Sequence, residues 1–456
     1  MHKLAADSRH VDLMAMEKQY GHVFRLYLGS QLAVVVSGAN AVKEVLITRS
    51  AEFAGRPNFY TGELLYSQGE SIGLADYSPQ WRLHRKISVS ALRIYINEVL
   101  KKGTVINDEF DLLVKRVQSR NGQPHDITIE IRLAVMNVIC ALAFGSRYEL
   151  DDPEFSRFLE MTNGVTKVLA SGSVVDVFPW LWLLPFKSIQ TMKKSCQERD
   201  ELVGEIYREH VKANRVHNPR DLTVLLLKAK KEAEEEDSSI KGFLTDKHLI
   251  STLSELFIAG METTACTLCW ALLYLIHNPN IQDKLHQELD DVIGKDRLPD
   301  LEDKSSLPFL EATIAETLRI TSVGPLAIPH KATVDATLQG YHIPKGTTVL
   351  VNLWSFHHDP DIWNDPDDFR PERFLEEDGN FVPPKAHLFF PLSGGRRGCL
   401  GASLARILLF LSLARMLHSF KFVNQPGCDL PTLEPSGGLV LVPQPFNVCA
   451  ITRHVF

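Results

Sequence analysis

The segment Pro391 to Gly401 reads PLSGGRRGCLG and runs straight into the apolar stretch ASLARILLFLSLARMLHSF. A cysteine placed there, Cys399, stands at a helix N-terminus, where unpaired backbone N–H groups and the positive end of the dipole favour a thiolate. Gly394, Gly395 and Gly398 let the backbone approach the sulfur and a flat macrocycle without a Cβ in the way. Arg397 offers a planar fork to a propionate. Two other readings stand beside a thiolate-ligated macrocycle. One is a phosphate loop, which needs a Gly-Lys-Ser/Thr ending that is missing here; the other is a plain buried cysteine after a glycine turn.

A second group lies upstream, in Ala259-Gly260-Met261-Glu262-Thr263-Thr264, inside an apolar helical run. An acid beside a hydroxyl is costly to bury, and Gly260 weakens a helix, so both ask for a reason. Oxygen activation supplies one: Gly260 leaves room for dioxygen, Thr263 offers a hydrogen bond, and Glu262 can feed protons. A Glu-Thr pair bonded internally or to solvent is the alternative. Glu316 and Arg319 stand three apart on another helix, and Arg373 follows in FRPERF. Such helical pairs are common and weak, so their value lies in their order. Trp81 and Arg85, one helical turn apart in WRLHR, suit a propionate or simply a half-buried amphipathic turn.

The elements that must position these residues are mostly helical. Residues Val23 to Val36 predict a hairpin about Gly29-Ser30, and helical periodicity holds from Ala41 to Thr48 and from about Gln80 to Glu209. The charged Lys228 to Asp237 reads as an exposed helix end. A long helix should begin near Asp246 as its cap and stop at His277-Asn278-Pro279, and another should end near Ile320. Short strands are expected between Ala332 and Leu353, then irregular chain from Asp359 to Pro391, a long helix over Gly401 to Phe420 and a strand-rich tail. With no repeat or clear linker, one mainly helical domain over 1–456 is the economical reading.

The 456 residues are 45% hydrophobic and 23% charged, a globular composition with ample core material. A net charge of -7 gives no overall basic field, so nucleic acid is not expected as a partner. The seven cysteines are scattered without zinc spacing, and Cys266-x-x-Cys269 falls in an apolar helix, as buried reduced thiols would. The polar start, MHKLAADSRH, has no secretory signal or spanning helix and reads as a cut beginning. Val174 to Phe186, VVDVFPWLWLLPF, is too short to span a bilayer. It reads either as an internal core segment or as a loop dipping into a membrane interface, where Trp180 and Trp182 would be at home.

The four chemical groups, in this order and with these gaps, resemble the signature of the cytochrome P-450 superfamily. The family pattern F-x-x-G-x-R-x-C-x-G maps onto Leu392, Gly395, Arg397, Cys399 and Gly401, with Leu392 in place of the aromatic residue. A second departure is Ile320-Thr321-Ser322, where the family has Arg-Pro shortly after the helical arginine. Within the superfamily, EFAGRP, VVDVFPWL, AGMETT, LEATIAETLR, IPHKATVD, VNLWSFHHDP and FRPERFL are similar to the steroid 17-hydroxylase/17,20-lyase branch.

The resemblance implies a mainly α P-450-type domain with small β-sheets, and haem b (iron protoporphyrin IX) buried between the long central helix and the loop of its ligand, Cys399. Arg56, Trp81, Arg85, His330 and Arg397 would hold the propionates, and Glu316, Arg319 and Arg373 would be structural. The steroid would lie between Ala259, Gly260, Val323 and Val440, with Arg199 above it and Val168 where the branch carries an amide. Electrons would come from NADPH through NADPH-cytochrome P-450 reductase, and dioxygen would be the co-substrate. Cytochrome b5 would dock at Lys304 and Arg406, with Ala315 having lost a third charge. The expected place is the cytosolic face of the endoplasmic reticulum membrane, and the expected reaction is C17 hydroxylation with C17–C20 cleavage. A steroid 21-hydroxylase, a xenobiotic aryl hydroxylase, and a haem-thiolate protein that binds or isomerises lipids without consuming oxygen are the rivals.

Overall fold

The computed structural model describes residues 8–66, 69–102, 104–171, 174–212, 221–385 and 388–454, with the side chains of 98–102, 104, 167–171, 174 and 179 left aside. The chain opens with α1 (Arg9–Tyr20), the hairpin β1 (Val23–Leu28) and β2 (Gln31–Val36), α2 (Ala39–Lys43), a π-helical turn over Glu44–Thr48, and α3 (Tyr60–Leu65). Helices follow as α4 (Pro79–Lys102), α5 (Thr104–Ser119), α6 (Thr128–Phe144), α7 (Pro153–Ser171), α8 (Val174–Val177), α9 (Lys187–Lys212), α10 (Leu222–Glu236), α11 (Asp246–His277), α12 (Pro279–Val292) and α13 (Pro308–Thr321). Four short strands come next: β3 (His330–Lys331), β4 (Ala336–Leu338), β5 (Tyr341–Ile343) and β6 (Thr348–Val351). The chain then forms α14 (Leu353–His357), α15 (Ala402–Ser419), β7 (Phe420–Asn424), β8 (Pro435–Ser436), β9 (Val442–Pro443) and β10 (Val448–Thr452).

The centre of the fold is α11 lying along α6. Both are apolar on nearly every face, which a helix tolerates only when neighbours cover it all round. Ile131, Ala134, Val138 and Leu268, Ala271 and Leu272 are fully buried there. Helix α6 stops where Gly145 takes the left-handed conformation and its N–H bonds the Ala141 carbonyl at 3.1 Å. Helix α11 starts one residue earlier in its cap than the sequence suggests. Thr245 is the N-cap, its backbone N–H donating to His248 Nδ1 at 3.2 Å, while Asp246 is already helical. Pro279 bars continuation and opens α12 instead. Helices α11 and α15 are long and apolar enough to cross a membrane, but each has 78% of its apolar window buried in protein, as core helices do.

The predicted hairpin forms, pairing Val23 with Val36 and Leu28 with Gln31. It extends into a sheet of order β1-β2-β6-β3, with β2 parallel to β6 and β3 antiparallel to it. That register carries His330 to the inner edge of the sheet, opposite Val349. Among the described residues the helical reading of Gln80 to Glu209 holds, apart from loops at 120–127 and 145–152 and the break at 178–186 around a 3-10 turn. All seven cysteines are unpaired. Cys266 donates to the Leu441 carbonyl, so the C-x-x-C pair is core.

Candidate functional site

A cavity of about 700 Å³ opens between α11 and the loop before α15, a size suited to a small organic ligand. Ala259, Gly260, Glu262 and Thr263 line one wall, Cys399 and Leu392 the opposite one, and Ile139, Leu318, Val323 and Val440 close the sides. Cys399 is exposed only in the sense that it faces this space. Its loop is held by the Cys399 N–H donating to Leu392 O at 2.9 Å. Gly395 is indispensable to that loop: its φ is +61°, and a Cβ would stand 1.7 Å from the Leu46 carbonyl of the π-helical turn. The sequence argument that the helix terminus alone favours thiolate is incomplete. Cys399 lies before the Gly401 cap of α15, and burial pushes its thiol pKa up against the opposing pull of the Gly401 N–H, Arg85 and Arg406. A coordinating metal would remove that proton outright.

Beside the cysteine loop the structure gathers a buried cationic cluster. Arg397 donates from Nε to Ala54 O (2.7 Å) and from Nη2 to Ala75 O (2.7 Å), and stacks 3.8 Å above the Trp81 ring. Arg56 donates to the Gly73, Ile328 and Pro329 carbonyls, and Arg85 to Gly398 O. Burial and then the mutual repulsion of these guanidiniums pull Arg397 down to about 9 and Arg56 well below its ordinary value. His330 completes the group: burial brings its pKa to about 3, and its Nδ1–H donates to Phe53 O at 2.8 Å. Its Nε2 is a buried atom without a partner. A cluster this positive, with one orphan nitrogen turned inward, calls for anionic ligand arms. Two propionates of haem fit it, with a second proton on His330 stabilised by the nearest carboxylate. Trp81 contributes by stacking, because its indole N–H is already engaged with Ile72 O at 2.8 Å.

On the distal wall Thr263 donates its hydroxyl to Ala259 O at 2.5 Å, leaving the oxygen lone pairs toward the cavity. Glu262 is buried and ion-paired with Arg132 of α6. The carboxylate expected to be free to feed protons is therefore tethered, and Arg132, which belongs to no sequence motif, is part of the site. Gly260 does more than leave space, since a Cβ there would lie 2.8 Å from Ile139 Cδ1 and the end of that side chain would have to shift.

The structure brings Glu316, Arg319 and Arg373 together. Arg319 donates to Glu316 at 2.7 and 2.9 Å, Arg373 donates to the same carboxylate at 3.0 Å, and the Arg370 N–H adds a bond of 2.9 Å. Arg319 also holds the His357 carbonyl at 2.7 Å, and His357 Nε2 accepts the Phe390 N–H at 3.1 Å. The triad thereby reaches the start of the cysteine loop.

Three sequence expectations change. Arg199 does not line the cavity: it is buried, donates to Leu65 O and Asp200, and stacks 4.6 Å over Tyr66. Ala315 is no vacant surface position, because it is 5% exposed and packed with Trp363 and Phe374. Lys304 is paired with Glu311 and lies over the Phe410 ring, whereas Arg406 is exposed. Val168 stands on α7, and its side chain lies outside the described residues.

A thiolate loop, a distal Glu-Thr helix and a buried Glu-Arg-Arg triad around one cavity define a haem-thiolate monooxygenase. The cytochrome P450 family profile matches residues 1–450, and the chain belongs to that family. It is 39% identical to the steroid 17-alpha-hydroxylase/17,20 lyase of Squalus acanthias over 440 residues, covering 96% of this chain and 86% of that protein. It is 40% identical to the enzyme of the same name from Ictalurus punctatus over 446 residues, covering 97% and 87%. A zebrafish cytochrome P450 structure with progesterone superposes with a TM-score of 0.87 at 38% identity, covering 97% of this chain and 99% of that one. Another, with abiraterone, gives 0.85 at 37% identity, covering 98% and 99%.

Proposed function

We propose that the chain is a steroid monooxygenase that hydroxylates C17 and cleaves the C17–C20 bond. The observation that carries the reading is the largely apolar cavity between Thr263 and Cys399, found in a chain whose relatives at this level of identity are named for those two activities. Haem, when bound through the Cys399 thiolate, supplies the reductive activation of dioxygen for insertion into an unactivated C–H bond. The protein's own contribution is position and polarity. Arg56, Arg397 and His330 anchor the acidic edge of the cofactor, and Ala259 and Gly260 leave a thin wall above it. Thr263 presents lone pairs where a proton must be held, and Ile139, Val323 and Val440 exclude water. Glu262 stands next to Thr263, and Arg132 fixes its direction.

NADPH-cytochrome P-450 reductase is the expected electron donor, and Arg406, close enough to Cys399 to act on its charge, is a natural docking cation. With Lys304 tied to Glu311 and Ala315 buried, Arg406 alone of the three expected docking positions offers an exposed cation, and cytochrome b5 should stimulate cleavage weakly. Attachment to the endoplasmic reticulum surface is supported by the turn after α8, where Trp180 is 66% and Leu183 69% exposed and Trp182 and Phe186 stand beside them. Such rings belong at a lipid headgroup boundary. The deciding experiment incubates the haem-loaded enzyme with reductase, NADPH and a steroid panel, and identifies the products. C17 alcohols and C17–C20 fragments support the reading. C21 alcohols, aryl hydroxylation, or turnover without oxygen consumption would each replace it with a rival.

A further inference from the structure

Far from the cysteine, the C-terminal ends of α12 and α15 meet. His418, in the last turn of α15, donates from Nε2 to the Gly294 carbonyl just past α12, at 2.7 Å. A helix C-terminus carries partial negative charge, so two of them together favour a cation. One is already there. Arg453, the residue after β10, donates to the Leu417 and His418 carbonyls at 3.1 and 3.0 Å and to Asp290 Oδ2 at 2.7 Å. That ion pair leaves Asp290 Oδ1 turned to His454, whose Nε2 lies 3.1 Å away. The His418 and His454 rings stand 5.1 Å apart. Two imidazoles and a carboxylate thus arrive from three separate places in the chain, with one ligand atom from each within 4.8 Å of the others. Among the described residues no other three His, Cys, Asp or Glu side chains bring their ligand atoms so close.

We propose that Asp290, His418 and His454 form a binding site for a divalent transition-metal ion of the zinc class, which clamps the segment after β10 to α12 and α15. Imidazoles with one carboxylate suit zinc and its first-row neighbours, whereas magnesium and calcium prefer oxygen ligands. The bonds around the set fit ligation. Because a carbonyl only accepts, His418 carries its proton on Nε2 and a lone pair on Nδ1, and the same bond fixes the ring. Arg453 holds the carboxylate by the oxygen that does not face His454, as the partners of metal-bound carboxylates do. His454 and Asp290 Oδ1 share a proton; an inserted ion takes its place and the proton leaves to solvent. Zinc bonds of about 2.0–2.2 Å set neighbouring ligand atoms about 3–3.5 Å apart, so the set has to contract by about 1–2 Å. Asp290 and His454 have the freedom to do so, their side chains being 35% and 12% exposed, while His418 is fully buried.

The test is a calorimetric titration of the haem-loaded enzyme, first stripped of divalent ions, with zinc chloride and, as the contrasting probe, magnesium chloride. One zinc ion per chain should bind, and magnesium should not. At a hundredfold excess over its dissociation constant, zinc should raise the midpoint of thermal inactivation by about 3 °C. His454→Gln and Asp290→Asn should each weaken zinc binding by more than about 10-fold and abolish that rise. His342→Gln, at an exposed histidine of β5, should change neither. The Soret band and the ion-free midpoint check the fold of each variant. If Asp290→Asn, which also disturbs the Arg453 pair, does not fold, His454→Gln decides alone. No zinc binding by the native enzyme, or binding undiminished in His454→Gln, overturns the proposal. A loss in His342→Gln as large as in His454→Gln would mean an adventitious ion only, and overturns it as well.

Discussion

Replacing Glu316 by glutamine keeps the side chain's shape and removes its charge. In the native fold that carboxylate accepts two bonds from Arg319, one from Arg373 and one from the Arg370 N–H, with Glu316 and Arg319 wholly buried. Glutamine would turn an NH2 group toward a guanidinium and leave two cations without a counter-charge. Breaking a buried pair in this way costs about 3–5 kcal/mol. Unfolding entropy of about 2.1 cal/mol/K per residue amounts to about 1 kcal/mol/K for 456 residues, so the midpoint of thermal inactivation should fall by about 3–5 °C. Because Arg319 and His357 lead to Phe390, part of the population should also fail to retain haem. The assay is loss of the Soret band on heating at a fixed scan rate. Lys284→Ala serves as reference: its pair with Glu372 is 2.7 Å long but has side chains 55% and 40% exposed. Screening leaves such a pair about 0–1 kcal/mol, or at most about 1 °C. A Glu316→Gln midpoint no lower than that of Lys284→Ala would refute the argument that the triad acts through buried charge.

Thr263→Ala should bind steroid with unchanged affinity but divert reducing equivalents to peroxide; product formed per NADPH falls, and an unaltered ratio would remove Thr263 from the proton path. Acid should destabilise the protein through buried histidines. His10, His286 and His358 are brought by burial to about 4, and His84 and His330 to about 3, from an ordinary value of 6.5. Between those values the unfolded chain binds more protons, so their stabilising contribution is complete above pH 6.5 and is lost as pH falls toward 4. Glu255 acts oppositely, its pKa raised by burial to about 7, so that it opposes folding as pH rises from 4.5 to 7. Glu255→Gln should flatten that upper limb, which thermal inactivation measured across the pH range will show.

The parts of this molecule legible in its sequence are those fixed by local chemistry. The hairpin about Gly29-Ser30, the stop at Pro279 and the cysteine loop each follow from residues within one or two turns of each other. The order of four separated motifs added the family, because order survives where single pairs are weak. What could not be read depends on which helix faces which. Arg132 meets Glu262 across 130 residues of chain, and its α6 pattern is apolar on all sides, so no periodicity marks it. Arg199 looks like any charged residue of an amphipathic helix, and only the packing of α9 on Tyr66 and Leu65 turns it from the cavity. Ala315 carried no sign of its burial under Trp363.

The central claim is that Cys399 binds the haem iron as a thiolate. Its most direct measurement is the absorption spectrum of the reduced, carbon monoxide-bound protein, for the native chain and for Cys399→His. The native protein should show the red-shifted Soret band that only a thiolate produces, and the variant, whose imidazole is neutral, should lack it. Persistence of that band in Cys399→His would contradict the account, since the iron would then be held by another residue.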